Sequence, residues 1–247
     1  MISRENMMNR AEFIEKCENC FKENDLEQFC DAATLEKLFQ MVDNMLFVNA
    51  SMNLTAITDE EEIIVKHLAD SLSAAAYIPQ GAKVLDVGCG GGFPSLPLAI
   101  ARPDLDITAL DSTAKKTQYV ASSAQLLGLS DLKTLTGRAE DLAMESQYRE
   151  KFDLAIARAV ASLPVLCELC IPFVKIGGRM VAMKARLDES ETTKAPERLG
   201  ASPFDRHAFE LKSSRETDNR LILVSHKLRS TPREFPRPYA KIKKQPL

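Results

Sequence analysis

Val84-Leu85-Asp86-Val87-Gly88-Cys89-Gly90-Gly91-Gly92-Phe93-Pro94 decides the fold class of this chain. Its opening residues are mostly apolar and branched, and they read as a buried strand closing on Asp86. Gly88 and Gly90 let the backbone turn with positive φ and approach a ligand with no Cβ in the way. Pro94 lacks an N–H that a first helical turn leaves unpaired, so a helix can start there. Strand, glycine turn and helix together open a nucleotide-binding α/β domain.

Working downstream, the alternation continues. The pattern predicts strands over 83–87, 106–110, 132–135, 152–157 and 179–184, the last entered through a Gly177-Gly178 turn. Helices are predicted over 94–101, 113–127 and 163–174. Two late strands, 208–212 and 221–224, read as an antiparallel pair. Alternating strands and helices imply a parallel sheet with right-handed crossovers. Upstream, residues 9–22 and 33–47 are amphipathic helices, and 49–57 is a polar connection. Thr58-x-x-Glu61 reads as a capping box for a third helix reaching about Ala75. The expected organisation is a helical extension over 1–80 and an α/β domain over 81–247. Residues 185–203 are polar and charged and read as a mobile stretch.

The 247 residues are 45% hydrophobic and 27% charged, ordinary for a globular protein. The start carries no apolar signal core, and Glu168 interrupts the longest apolar run, 163–174. A cytoplasmic protein with no membrane contact is expected. Cys17-x-x-Cys20 and Cys167-x-x-Cys170 could suggest zinc. Both pairs, however, fall on apolar helical stripes, where cysteine packs as a small core residue, so no metal is assigned. Charge is uneven. Residues 1–80 carry 15 acidic and 6 basic side chains, whereas 226–247 carry 7 Lys or Arg and one Glu. A basic end suits a polyanion partner, or is simply a solvated terminus.

The ligand of the glycine loop follows from what the loop lacks. A dinucleotide fingerprint places a third glycine where Phe93 stands. An acidic residue just before the loop, Asp86, suits a ligand that brings an amine rather than a pyrophosphate. S-adenosylmethionine is such a ligand. Asp111 ends the second strand, where a carboxylate can accept two ribose hydroxyls; the alternative is a helix-capping aspartate. Lys115 and Lys116 follow, one solvated and the other near substrate phosphate. Ala139 and Glu140 lie just past strand three, on the edge that lines a ligand crevice, although Glu140 could equally be a helix-start carboxylate. His67 and Asp70 share a helix face; a satisfied, partly buried His67 is the plainer reading.

After strand four the chain reads Ala157-Arg158-Ala159-Val160. Amino-group methyltransferases carry Asp/Asn-Pro-Pro-aromatic at that place to hold an exocyclic amine. No Pro-Cys or Thr-Cys pair supplies a carbon-5 nucleophile. An acceptor that is already nucleophilic remains, and guanine N7 fits because it has a lone pair and no proton to lose. Arg158 would orient cofactor or substrate, or be a paired surface arginine.

These residues resemble the bacterial 16S rRNA guanine-N7 methyltransferases, the family called RsmG or GidB. The resemblance rests on the 85–94 loop, Asn53-Leu54-Thr55, His67-Leu68-Ala69-Asp70-Ser71-Leu72, Gly137-Arg138-Ala139-Glu140 and Ala157-Arg158-Ala159. It extends to the ending, Phe235-Pro236-Arg237-Pro238 through Leu247, and covers roughly 30–247. It finds no motif in 185–203. It implies a Rossmann-like methyltransferase with a mostly parallel seven-stranded sheet. By position, Gly88, Phe93, Ala139, Glu140 and Arg158 would contact S-adenosylmethionine and Asp111 its ribose, beside Asp86 and Gly90 of the loop. The substrate would be one guanosine in a loop of 16S rRNA, free or in the small ribosomal subunit, with the enzyme a monomer. Candidate RNA contacts are His67, Asp70, Lys115 and Lys116. Lys184, Arg237, Lys243 and Lys244 complete that set. Rival readings are a methyltransferase for a small molecule or protein, a dinucleotide oxidoreductase, and a non-enzymatic RNA-binding subunit.

Overall fold

A computed structural model describes residues 9–158, 161–185, 193–213 and 215–247. Ala159 and Val160 of the motif after strand four lie outside the described residues, as do 186–192 of the polar 185–203 stretch.

Seven strands form one sheet: β1 (Lys83–Val87), β2 (Asp106–Asp111), β3 (Leu132–Thr136), β4 (Phe152–Arg158), β5 (Val174–Lys184), β6 (Asp205–Lys212) and β7 (Thr217–His226). Their order is β3-β2-β1-β4-β5-β7-β6. The first five are parallel; β7 runs antiparallel to β5, and β6 antiparallel to β7. Strand order reverses between β1 and β4, so the crevice for a ligand is expected outside their carboxyl ends. Because β7 is antiparallel, its start reaches the same edge: Lys184 at the end of β5 pairs with Leu221.

Side chains alternate along each strand into two buried clusters. Val84, Ile107, Leu154 and Val181 face one side and pack with α1 (Arg10–Glu23), α2 (Ala32–Met52) and α5 (Ser95–Ala101). Leu85, Leu110, Ala155 and Ala182 face the other side, against α8 (Leu163–Cys170). The N-terminal helices therefore bury their stripes in the same apolar cluster as one sheet face. Both Cys-x-x-Cys pairs lie inside these clusters, and burial pushes all four thiols up. Among the described residues no helix is long and apolar enough to cross a membrane.

Several boundaries differ from expectation for local reasons. Helix α2 runs five residues further, to Met52, and ends on Asn53 in the left-handed conformation (φ 50°) that asparagine tolerates. The third helix is capped by Asp59, not Thr58: the Asp59 carboxylate accepts from Glu62 N at 3.0 Å. It then divides into α3 (Glu60–Ile63), a π-helical turn over Ile64–Ala69 and α4 (Asp70–Ser73). Strand β5 begins at Val174, and the Gly177-Gly178 pair sits within it where the register against β4 shifts. The remaining helices are α6 (Ala114–Leu126), α7 (Ala139–Leu142), α9 (Ala195–Arg198) and α10 (Tyr239–Lys244).

The C-terminal segment is held by a buried ion pair. Glu168 on α8 is wholly buried. Its carboxylate accepts from Arg237 N (2.7 Å), Nε (2.8 Å) and Nη2 (2.7 Å), and Arg237 Nη2 also reaches Gln245 O at 3.0 Å. Arg237, read from the sequence among the candidate RNA contacts, is thus held in a structural clasp on Glu168. Lys227 is likewise withdrawn from the basic end: it is buried, with Nζ on Ile171 O (3.0 Å) and 3.3 Å from Glu150. Removing the Arg237 side chain leaves a buried carboxylate without its cation, so Arg237→Ala is expected to destabilise the fold by about 3–5 kcal/mol in urea unfolding. A loss under about 1 kcal/mol would show that the clasp does not hold this end of the chain.

Candidate functional site

The glycine loop is fixed to the strand beside it. Gly88 N and Cys89 N both donate to Leu110 O, at 2.8 and 2.9 Å. Gly90 N donates to Asp111 Oδ2 at 3.1 Å, while Asp111 Oδ1 accepts from Thr113 N at 2.8 Å. Gly88, Gly90 and Gly92 have φ of 80°, 55° and 88°. A Cβ on Gly92 would also lie 2.5 Å from Leu96 Cδ1, so this glycine seats the loop on α5. Asp111 therefore shapes the loop and at the same time presents its carboxylate to the space above it.

That space is a cavity of about 1050 Å³ along the carboxyl edge of the sheet. On one wall stand Gly88, Gly90, Asp111 and Lys116, with Ala139 and Glu140 at the start of α7. On the other stand Phe93, Arg158, His67, Asp70 and Lys184. The structure thus gathers the cofactor candidates other than Asp86, and part of the RNA candidates, in one hollow. Lys115 is exposed and lies outside the lining, as do Lys243 and Lys244 on the outer face of α10.

Asp86 is placed differently from expectation. It lies beneath the loop, 1% exposed, and does not line the cavity. Ser95 Oγ donates to its Oδ2, and its Oδ1 has no hydrogen-bond partner among the described residues. Burial pushes its carboxyl up to about 7, against the lowering effect of the Ser95 hydrogen bond. In this structure it is a buried carboxyl under the glycine turn that protonates readily, and it is not part of the cavity lining.

The wall opposite Asp111 is a network. Arg158 Nη1 donates to Lys66 O and to Asp70 Oδ2, both at 2.9 Å. Asp70 Oδ1 accepts from Arg220 Nε at 3.1 Å. The His67 ring stacks on Phe93 (centroids 4.4 Å apart), and the Arg158 guanidinium lies 5.3 Å from the centre of the same Phe93 ring. His67 Nε2 is 2.8 Å from Thr55 Oγ1. The Thr55 backbone is itself bracketed by Asn49, which accepts from its N–H and donates to its C=O. Burial first, then the Arg158 charge, lowers His67 to about 4, so it is neutral at pH 7. The π-helical turn carries Lys66 and His67, and Asp70 at the start of α4 follows it directly, so the three stand on this wall together.

Arg220, Lys66 and Tyr239 are among the lining residues that sequence reasoning missed. Arg220 lies on β7 one residue before the predicted start of that strand, and only the antiparallel direction of β7 brings it to this edge. Lys66 is half-buried and bridges Glu62 and Glu216, both at 2.8 Å. Tyr239 opens α10 and carries the Arg138 guanidinium 5.6 Å from its ring centre.

Comparison with known proteins places this geometry. The family described as GidB, rRNA small subunit methyltransferase G, matches residues 34–220. The chain belongs to that family. A relative from Acetivibrio thermocellus named ribosomal RNA small subunit methyltransferase G is 42% identical over 220 residues, 88% of this chain and 90% of its own length. One of the same name from Lactiplantibacillus plantarum is 44% identical over 211 residues, 82% of this chain and 86% of its own. Among solved structures, an O-methyltransferase from Bacillus cereus in complex with SAH superposes with a TM-score of 0.52 at 19% identity, covering 76% of this chain and 91% of that one. This likeness shows the fold: the Rossmann-like, mostly parallel seven-stranded sheet expected from the sequence is the one observed.

Asp86 makes the stability of this family member depend on pH. Its folded-state pKa is raised, so the folded protein holds a proton that the unfolded chain releases above about 4. The stabilisation is complete at low pH and is lost as pH rises through about 7. Asp86→Asn, which does not titrate, should therefore gain about 2–3 kcal/mol on the parent between pH 5 and pH 8 in urea unfolding. Parallel pH profiles for the two proteins would contradict a raised Asp86.

Proposed function

We propose that this protein transfers the methyl group of S-adenosylmethionine to N7 of one guanosine in 16S rRNA. The observation that carries the reading is the single cavity that joins the glycine loop and Asp111 on one wall to Arg158 on the other. The named relatives, both small-subunit rRNA methyltransferases, support the substrate class.

The residues present fit the donor. Asp111 keeps carboxylate lone pairs for a ribose diol beyond the bonds it accepts from Gly90 N and Thr113 N. The start of α7 at Ala139 and Glu140 stands where an adenine would be read. Beneath the loop, the unpartnered Oδ1 of Asp86 favours a cationic ligand above it. S-adenosylmethionine, when bound, supplies an electrophilic methyl group on a sulfonium.

Guanine N7 carries its lone pair at neutral pH, so no side chain has to remove a proton. His67 agrees with that requirement, since it is neutral and buried between Phe93 and Thr55 and is not poised as a base. Arg158 is fixed by Asp70 and the Lys66 carbonyl and orients the reactants. Catalysis is then mostly alignment and charge placement. An unstacked guanine from an irregular RNA loop can enter such a hollow, whereas a base inside an A-form helix cannot. Exposed Lys243 and Lys244, on the helix that Tyr239 opens beside the cavity, supply cations for RNA phosphates.

The test uses purified protein, tritiated S-adenosylmethionine and small-subunit RNA. Label is expected in the RNA as 7-methylguanosine. Asp111→Ala should weaken S-adenosylhomocysteine binding at least about tenfold, because it removes hydrogen bonds to a charged acceptor. Unchanged affinity would overturn the ribose assignment, and label appearing only in protein or a small molecule would overturn the RNA assignment.

A further inference from the structure

Asp70 is the hub of the wall opposite Asp111. One carboxylate oxygen takes Arg158 Nη1 from the end of β4 at 2.9 Å, and the other takes Arg220 Nε from β7 at 3.1 Å. The three side chains are 11–14% exposed, so water screens them little. The two arginines come from strands separated by β5 in the sheet. Among these nearly buried groups two positive charges share one negative charge. Of the further carboxyls nearby, Asp86 is buried beneath the loop, where the Arg158 charge acts on it without a hydrogen bond between them; Asp218 on Arg220 and Glu62 and Glu216 on Lys66 are a third to a half exposed and correspondingly screened. Both guanidiniums border the cavity. Planar guanidiniums held in fixed orientation are suited to bind a carboxylate or phosphate with paired hydrogen bonds.

On the methyl-transfer reading above, we propose that Asp70 is a positioning residue that holds Arg158 and Arg220 as one cationic clamp, and that this clamp grips an oxyanion of the reactants. The oxyanion is either the carboxylate of the methyl donor or a phosphate next to the target guanosine. Asp70 itself touches neither. It aligns the guanidiniums and keeps them from repelling each other when the cavity is empty. The antiparallel β7 thereby becomes part of the site, because without Arg220 the clamp is half made.

The test compares the full-length wild-type protein with Asp70→Asn, Arg220→Gln and the double variant. Each single change is expected to lower kcat/KM for RNA methylation by about tenfold or more. The double variant should lose no more than about threefold beyond the worse single, because the second change acts on a clamp already broken. Melting temperatures measured alongside report the fold, and a purely structural role would not give this coupling in kinetics. Asp70→Asn leaves two guanidiniums facing each other; if it does not fold, Arg220→Lys carries the test. It keeps the charge, loses the fork, and should still cost about fivefold or more in kcat/KM.

Two arms identify the oxyanion. S-adenosylhomocysteine and methylthioadenosine, which lacks the amino-acid end, are titrated without RNA. A loss of affinity confined to S-adenosylhomocysteine assigns the clamp to the donor carboxylate. Unchanged binding of both, with a raised KM for small-subunit RNA and a shallower salt dependence, assigns it to a phosphate. Wild-type kinetics in the single variants, or fully additive losses in the double, overturn the proposal. Because the titrations need no RNA, failure of the clamp is distinguishable from failure of the rRNA reading, which the wild-type protein tests by itself.

Discussion

The bond set between the glycine loop and the end of β2 is the constraint on which the site depends. Two consecutive loop N–H groups converge on Leu110 O, and the next loop glycine binds the Asp111 carboxylate. This fixes a backbone of alternating left-handed glycines directly above the carboxyl end of the sheet. The cavity floor is thus set by hydrogen bonds internal to the fold, before any ligand arrives. A preformed floor removes the ordering cost that a flexible loop would impose on binding. It also fixes the Asp111 carboxylate at the cavity: the loop holds one of its oxygens, and Thr113 holds the other.

The opposite wall follows a different logic. Its groups come from the π-helical turn and the start of α4, from the end of β4 and from the start of β7, and charge rather than backbone geometry joins them. Phe93 connects the two walls. It belongs to the glycine loop, stacks on His67 and underlies the Arg158 guanidinium. The position that disqualifies a dinucleotide fingerprint is therefore where the loop meets the opposite wall of the cavity. The neutral state of His67 is a product of this packing, and it suits an acceptor atom that needs no base.

Elements with strong local signals were legible in the sequence. The β1 strand, its glycine loop and Asp111 could be read because glycine, alternation and strand-end acids carry local meaning. Arg158 could be singled out from its place after β4, but its partners could not, since Asp70 is 88 residues away in the chain and Arg220 lies on a strand whose direction periodicity does not encode. Asp86 read as a ligand contact because an acid before a glycine loop has the same appearance whether it points up or down. Arg237 read as a nucleic-acid contact because its basic neighbourhood is visible in sequence, whereas the buried Glu168 that claims it lies 69 residues earlier. That same Glu168, a lone charge in an apolar helix, was the one local hint that a cation had to reach it.

The central claim is that this edge of the sheet methylates guanine N7 in small-subunit rRNA. The most direct measurement is mass spectrometry of small-subunit rRNA from cells with and without the gene. The account predicts that one 7-methylguanosine disappears without the gene and returns when purified protein and S-adenosylmethionine are added to the deficient RNA or subunits. A modification profile that is the same with and without the gene would contradict it.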